Sequence, residues 1–264
     1  MLNRRTALGG LAAAAISLAA GTAQAEGWKD KYKEIVFAVI PAENASGVTE
    51  RWGPFTAYLE KQLGTKVTLR IANDYAAVIE GQRSGVIHIG YYGPASFARA
   101  LKTGVKVEAI AIDVNLDGTK GYHSVFYVKK DSPYQKIEDL KGKNLGLVDP
   151  NSTSGYNVPL FALDKQGIKP SEFFGKVVVT GSHENAVLAL QQGTVDVAAN
   201  WWNDESESNL LRMARKGMVK AEDFRIIQKS AQIVNSPWAV LSDMPAELKK
   251  AIQTAILDVA TKDP

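Results

Sequence analysis

Along the chain, short apolar runs alternate with longer segments in which apolar residues recur every three or four positions, the pattern of strands alternating with helices. Ile35-Val36-Phe37-Ala38-Val39-Ile40 is apolar throughout, which predicts a strand covered on both faces. A helix follows through Phe55, Tyr58, Leu59 and Leu63, with Gly64 placed to end it. Residues 67–71 predict a second strand, Asn73-Asp74 a cap for a helix carrying Val78 and Ile79, and residues 86–89 a third strand. Tyr91-Tyr92-Gly93-Pro94 turns into another helix with Pro94 at its first position, and a strand within residues 105–112 completes a first unit.

A second unit repeats this grammar. A strand over residues 144–148 enters the turn Asp149-Pro150-Asn151-Ser152-Thr153-Ser154-Gly155, which leads to a helix through Leu160, Phe161, Ala162 and Leu163. Val177-Val178-Val179 passes through Gly181-Ser182-His183-Glu184 into a helix that Gly193 stops. Residues 195–199 then form a strand ending in Asn200-Trp201-Trp202-Asn203-Asp204, where alternation lets only one of the two tryptophans face a ligand. Asp204-Glu205-Ser206-Glu207 reads as the acidic first turn of a solvated helix.

Repeated strand-helix units predict an α/β protein whose sheets are mostly parallel, with the loops at the carboxyl ends of strands converging on one crevice. The Ser-Thr-Ser turn, His183 and the Trp-Trp-Asn segment are therefore expected to meet. Residues 121–128 are extended and carry the chain from the first unit to the second, and the strands flanking Ser236-Pro237-Trp238 carry it back. Two crossings make a hinge between lobe one, residues 26–122 plus 236–264, and lobe two, residues 123–235, closing on a ligand.

The turn at 149–155 carries the most chemistry. The first amides of a helix lack internal partners and the helix dipole is positive there, so a hydroxyl-rich helix start is an anion site. Pro159 delays regular helical bonding and leaves several amides between Ser152 and Val158 free. Simple capping is the competing account, but one Ser or Thr is enough for a cap.

Residues 1–25 have a basic start, an apolar stretch from Leu8 to Ala20 and an Ala23-Gln24-Ala25 ending, the parts of a secretory signal cleaved after Ala25. The apolar stretch is short and rich in Ala and Gly for a membrane span, so the mature chain is expected outside the cytoplasm, in the periplasm. Arg4-Arg5 does not select an export route. Removing them takes 31 basic residues to 29 against 28 acidic, a net charge of +1 with no basic stripe for nucleic acid. There is no Cys, so the fold relies on its core without disulfides or thiolate-held metals. His88 and His123 lack ligands at metal spacing, and no metal site or cofactor is expected.

Tyr75-Ala76-Ala77-Val78-Ile79-Glu80-Gly81 with Tyr91-Tyr92-Gly93, Gly121-Tyr122-His123-Ser124-Val125, the Asp149–Gly155 turn and Gly181-Ser182-His183-Glu184-Asn185-Ala186 resemble, in order, the phosphonate-binding periplasmic proteins of ABC transporters. The resemblance implies a two-lobed periplasmic binding fold of type II that closes over a small phosphonate or phosphite. It also implies delivery to a permease with its ATPase, a monomer and no cofactor. By this resemblance the ligand-binding residues are Ser152, Thr153 and Ser154, the phenols of Tyr75 and Tyr122, and His183, with Tyr92 and Asn203 beside them. Members of that family usually extend beyond the helix suggested at 246–259, so a chain ending at Pro264 is expected to be shorter than they are.

Members that take aminoethylphosphonate place carboxylates at positions matched by Asn203 and Ser236, neither of which is charged. A buried ammonium without a carboxylate costs several kcal/mol, so a ligand without an amine is expected. A hydrolase using Ser152 or Ser154 with His183 is the competing class, and a ligand-sensing module a third. A hydrolase needs an orienting acid and a way to activate water, and neither a Gly-x-Ser-x-Gly elbow nor a metal cluster is visible. A cradle of donors around one oxyanion explains the hydroxyls without chemistry.

Overall fold

The computed structural model describes residues 27–262, so the signal reading of residues 1–25 lies outside the described residues. The chain enters through α1 (Gly27–Lys31) and β1 (Glu34–Val39), then α2 (Ala45–Leu63), β2 (Lys66–Ile71), α3 (Tyr75–Arg83), β3 (Ile89–Tyr91), α4 (Pro94–Lys102) and β4 (Val107–Ile112). β5 (Gly121–Lys129) begins a second set: β6 (Asn144–Leu147), α5 (Val158–Lys165), α6 (Pro170–Phe173), β7 (Lys176–Val179), α7 (His183–Gln191), β8 (Val197–Asp204), β9 (Glu207–Ser208), α8 (Asn209–Arg215), β10 (Phe224–Lys229) and β11 (Ile233–Val234). β12 (Pro237–Leu241) and α9 (Ala246–Lys262) return to the first set.

These strands form two sheets, ordered β2-β1-β3-β12-β4 and β10-β5-β8-β6-β7, with β11 beside β5 and β9 beside β8. β1 pairs in parallel with β2 and β3, and β6 with β7 and β8. The strands that follow each crossing run against the grain: β5 is antiparallel to β8, and β12 is antiparallel to both β3 and β4. Each sheet is thus mixed, because a strand that arrives directly from the other lobe has no helical crossover to turn it parallel.

β1 lies inside its sheet, as its unbroken apolar run requires, and Phe37 stacks on Trp238 of β12 with ring centroids 5.5 Å apart. α9 closes the same core through Leu248, Ile252 and Ala255. In β5 alternate residues serve opposite faces: Val125 and Tyr127 pack toward α7, Phe126 and Val128 toward Ile137, Leu140 and Leu163.

Two readings are corrected here. The third strand begins at Ile89 rather than Val86, because His88 accepts Val36 N–H on Nδ1 at 2.9 Å and so replaces a ladder bond. Asp204-Glu205-Ser206-Glu207 is a hairpin corner, with Asp204 ending β8, Glu205 and Ser206 turning and Glu207 opening β9, not a helix start. Asp204 Oδ1 accepts from the amides of Ser206 and Glu207, a local ring that competes with helix, and the helix waits for its cap at Ser208.

The lobes are tied across the cleft by charge. Glu43 ahead of α2 pairs with Arg51 at 3.0 Å and Lys216 at 2.6 Å, while Lys216 also meets Glu184 of α7 at 3.2 Å. Asn44 N–H donates to Glu184 at 2.8 Å, and His183 N–H donates to Ala42 O at 3.2 Å. Breaking a buried pair leaves a charge without a partner at a cost of roughly 3–5 kcal/mol. Glu43→Gln removes the charge opposite Lys216 and is expected to lower unfolding stability by at least about 1 kcal/mol in denaturant titration, given that Lys216 stays partly solvated.

Candidate functional site

β6 ends at Leu147, and Val148 N–H donates to Gly155 O at 2.9 Å, which folds the following segment back over the strand end. Asp149 stabilises the bend by accepting Asn151 N–H at 2.7 Å. Ser152 caps what comes next, its Oγ accepting Gly155 N–H at 3.1 Å. Residues Thr153–Asn157 then wind as a wide π-helical turn before α5 starts at Val158, with Pro159 in its first turn. Regular bonding therefore begins late, and the amides of Thr153 and Ser154 donate to no protein acceptor among the described residues.

Five hydroxyls, two of them phenols, lie around those amides. Tyr75 at the start of α3 faces the cavity beside Ser152, and Tyr122 on β5 faces it beside Thr153 and Ser154. Burial raises both phenols, Tyr122 to about 12, so each remains a neutral donor at any ordinary pH. Thr153 Oγ1 also accepts Ala95 N–H at 2.9 Å, which brings the amino terminus of α4 to the turn. Gly93 allows that approach, because a Cβ there would lie 2.9 Å from Thr153 Oγ1.

His183 opens α7 and is buried beside the turn, its Nε2 3.4 Å from Ser152 Oγ. Burial lowers its pKa to about 4, against the opposing effect of its bond to Asn200. The cavity bounded by these groups measures about 130 Å³, far below the ~300–1,000 Å³ of drug-sized sites.

Of the residues that the sequence nominates, Tyr75, Tyr122, Ser152, Thr153, Ser154, His183 and Asn203 all line this one cavity. Tyr92 does not. Successive residues of a strand alternate faces, so Tyr91 faces the cavity while Tyr92 enters the core, its hydroxyl on Gln82 Oε1 at 2.8 Å. The same alternation puts Trp201 in the lining and Trp202 against His123, with Lys229 over its ring at 4.3 Å.

Sequence reasoning reached the far end of the cavity only at Asn203 and Ser236. Asp113 accepts from Tyr91 OH and, at 2.9 Å, from Trp238 Nε1. Asn115 joins Asn203 at 3.3 Å and Asn235 at 3.2 Å. Arg51 lies over Trp52 and Arg212 over Trp201, 5.1 and 4.6 Å from the ring centroids, and both arginines pair with Glu43. Only the position of Asp113 and Asn115 just past a strand's carboxyl end marks them in the sequence. Among the described residues no group of three or more His, Asp or Glu side chains gathers as a metal site.

Residues 37–264 match a family model described as the phosphonate periplasmic substrate-binding protein of ABC transporters. The chain belongs to that family. It is 35% identical over 214 residues to the phosphonates-binding periplasmic protein of Escherichia coli, covering 79% of this chain and 61% of that protein's length. It is also 26% identical over 242 residues to a probable ABC transporter phosphite binding protein of Prochlorococcus marinus, covering 87% and 78% of the two chains. The crystal structure of a binding-protein component of an ABC phosphonate transporter from Pseudomonas aeruginosa superposes with a TM-score of 0.76 at 30% identity, covering 84% of this chain and 72% of the other. The fold is the type II periplasmic binding fold.

The depressed His183 pKa fixes a pH effect. The folded state holds the imidazole neutral down to about pH 4, whereas the unfolded chain protonates it near 6.5. Its contribution is present above pH 6.5 and is lost as pH falls toward 4, reaching roughly 3 kcal/mol. In thermal unfolding without ligand, a His183→Asn variant should lose less stability than wild type between pH 7 and pH 4.

Proposed function

We propose that the chain is an extracytoplasmic solute-binding protein that captures a small phosphonate or phosphite in this cavity and passes it to an ABC permease and its ATPase. The reading rests chiefly on the free amides of Thr153 and Ser154, ringed by Tyr75, Tyr122 and three serine and threonine hydroxyls. Such donors suit a tetrahedral oxyanion with several oxygens to satisfy at once. The names of the two relatives, one for phosphonates and one for phosphite, support the same ligand class.

No hydrolytic step is proposed. Ser152 Oγ lies 3.4 Å from His183 Nε2, but His183 is backed by an amide rather than a carboxylate, so the pair lacks the orienting acid of an activated nucleophile. A single copy of the chain supplies the whole cavity, in keeping with a monomer in the periplasm.

Ser152, Thr153, Ser154 and His183 come from one lobe, Tyr75 and the α4 amides from the other, and Tyr122 from the crossing strand. Binding is therefore coupled to closure. Small-angle scattering should show a smaller radius of gyration with ligand than without; an unchanged radius on a sample with confirmed binding argues against hinge closure.

Thr153→Ala removes a hydroxyl contact worth roughly 1.5–3 kcal/mol, so calorimetry on the folded variant should show at least about tenfold weaker binding of the preferred ligand. An affinity within twofold of wild type removes Thr153 from the contacts.

The positions expected to hold an amine carry no free carboxylate. Glu43 is neutralised by Arg51 and Lys216, and Asn203 and Ser236 are uncharged. Asp113, the lining carboxylate without a cation among the described residues, is already engaged by Tyr91 OH and Trp238 Nε1. Phosphite or methylphosphonate is expected to outbind 2-aminoethylphosphonate, with phosphate as the fourth ligand titrated. If the amine binds more than about tenfold tighter than both, a gap of roughly 1.4 kcal/mol, Asp113 becomes its carboxylate partner.

A further inference from the structure

The two ends of the His183 ring are not equivalent. Nδ1 lies 3.1 Å from Asn200 Oδ1, and the orientation of that amide is fixed by its other bonds: Trp201 N–H donates to Oδ1 at 2.9 Å, and Nδ2 donates to His183 O at 3.0 Å. Asn200 thus offers His183 an acceptor, and a neutral imidazole must carry its proton on Nδ1. Nε2 is left as a lone pair at the cavity. Its neighbour there is Ser152 Oγ at 3.4 Å, long for a hydrogen bond, and because that hydroxyl has one hydrogen to give, a ligand oxygen that takes it leaves Nε2 without a donor.

A lone pair facing an oxyanion is repulsive. Every other nominated group at this end of the cavity carries a donor hydrogen, so the one acceptor among them selects for something on the ligand. We infer that His183 reads a proton on the ligand: the bound complex holds one proton between Nε2 and a phosphorus-bound oxygen, which favours singly protonated phosphorus oxyanions over sulfonates of the same shape. The inference rests on the proposed function and narrows it. Whether that proton arrives as P–OH on a monoanion, or moves from solvent to Nε2 to meet a dianion, the proton count of the complex is the same.

The charged and titratable groups around His183 do not supply this proton. Glu184, next on α7, is held by Lys216 and by Asn44 N–H; Glu43 from the other lobe is held by Arg51, Arg212 and Lys216. Tyr75 and Tyr122 stay protonated, Asp149 accepts Asn151 N–H, and β8 brings only Asn200. Burial, which keeps the free imidazole neutral, makes the requirement hold through the ordinary pH range.

The test is a proton count by calorimetry on the wild-type protein, using methylphosphonate in buffers of different ionisation heat. Above the second ionisation of methylphosphonate, binding should take up close to one proton and weaken about tenfold per pH unit; below it, uptake should vanish. Methanesulfonate, which has no proton to offer, should bind at least about 30-fold more weakly than methylphosphonate at a pH below that ionisation, the cost of one unmet buried acceptor. His183→Gln presents an amide N–H instead and should abolish the uptake and narrow the ratio. Methylphosphonate binding with no uptake at any pH, or methanesulfonate binding within threefold of it, overturns the inference and leaves the proposed function standing. If neither phosphite nor methylphosphonate binds, both fall.

Discussion

The site depends on a contact that only glycine permits. A Cβ on Gly155 would lie 2.3 Å from Val148 Cγ2 and 3.0 Å from His183 Cε1, so any side chain lifts the turn away from the strand end and the imidazole together. With hydrogen there instead, Gly155 O takes Val148 N–H, Gly155 N–H reaches Ser152 Oγ, and the wide turn from Thr153 to Asn157 follows. The free amides of Thr153 and Ser154 are the consequence. An ordinary α-helical start at the same place keeps the orphan donors of its first turn, but the π turn widens the mouth and sets the hydroxyls around it.

Charge is kept near this turn but not in it. Glu43 and Glu184 have side chains only 6% and 2% exposed, and they absorb Lys216 and two of the nearby arginines. Burial alone would lower the Lys216 pKa, yet its two carboxylates outweigh that and raise it, so the ammonium stays charged between the lobes. Pairs of this kind add little net stability against an apolar substitute, but they penalise any arrangement that separates them. Here they act on the approach of one lobe to the other, while the cradle's field comes from amides, phenols and hydroxyls.

Much of this was legible in the sequence, for a physical reason. A hydroxyl-rich stretch between an apolar strand and a delayed helix is a local signal, and so is an imidazole directly after a Ser cap; sheet topology then carries both to one crevice. What failed or escaped was non-local or a matter of one residue's phase. Tyr91 and Tyr92 are neighbours with opposite fates, and only the strand register decides which enters the core. The Asp204 turn was misread because a local carboxylate ring and an acidic helix start share a composition. Nothing local links Glu43 to Lys216, or Asn115 to Asn203, since each pair joins distant segments across the cleft.

A cradle without a formal charge changes what recognition can achieve. A guanidinium in the same place attracts chloride, sulfate and phosphate alike, because Coulomb attraction is blind to shape and protonation. Neutral donors are strong only when every one of them is met, and an acceptor among them turns away ligands that have nothing to donate. Dividing those groups between the lobes adds a second consequence. On the closure proposed above, separating the lobes would withdraw Tyr75 and the amino terminus of α4 from Ser152 and Thr153 in one movement, leaving the oxyanion with part of its donors and access to water. No fixed countercharge then opposes its departure, so selectivity on capture and ease of release follow from the same choice of groups.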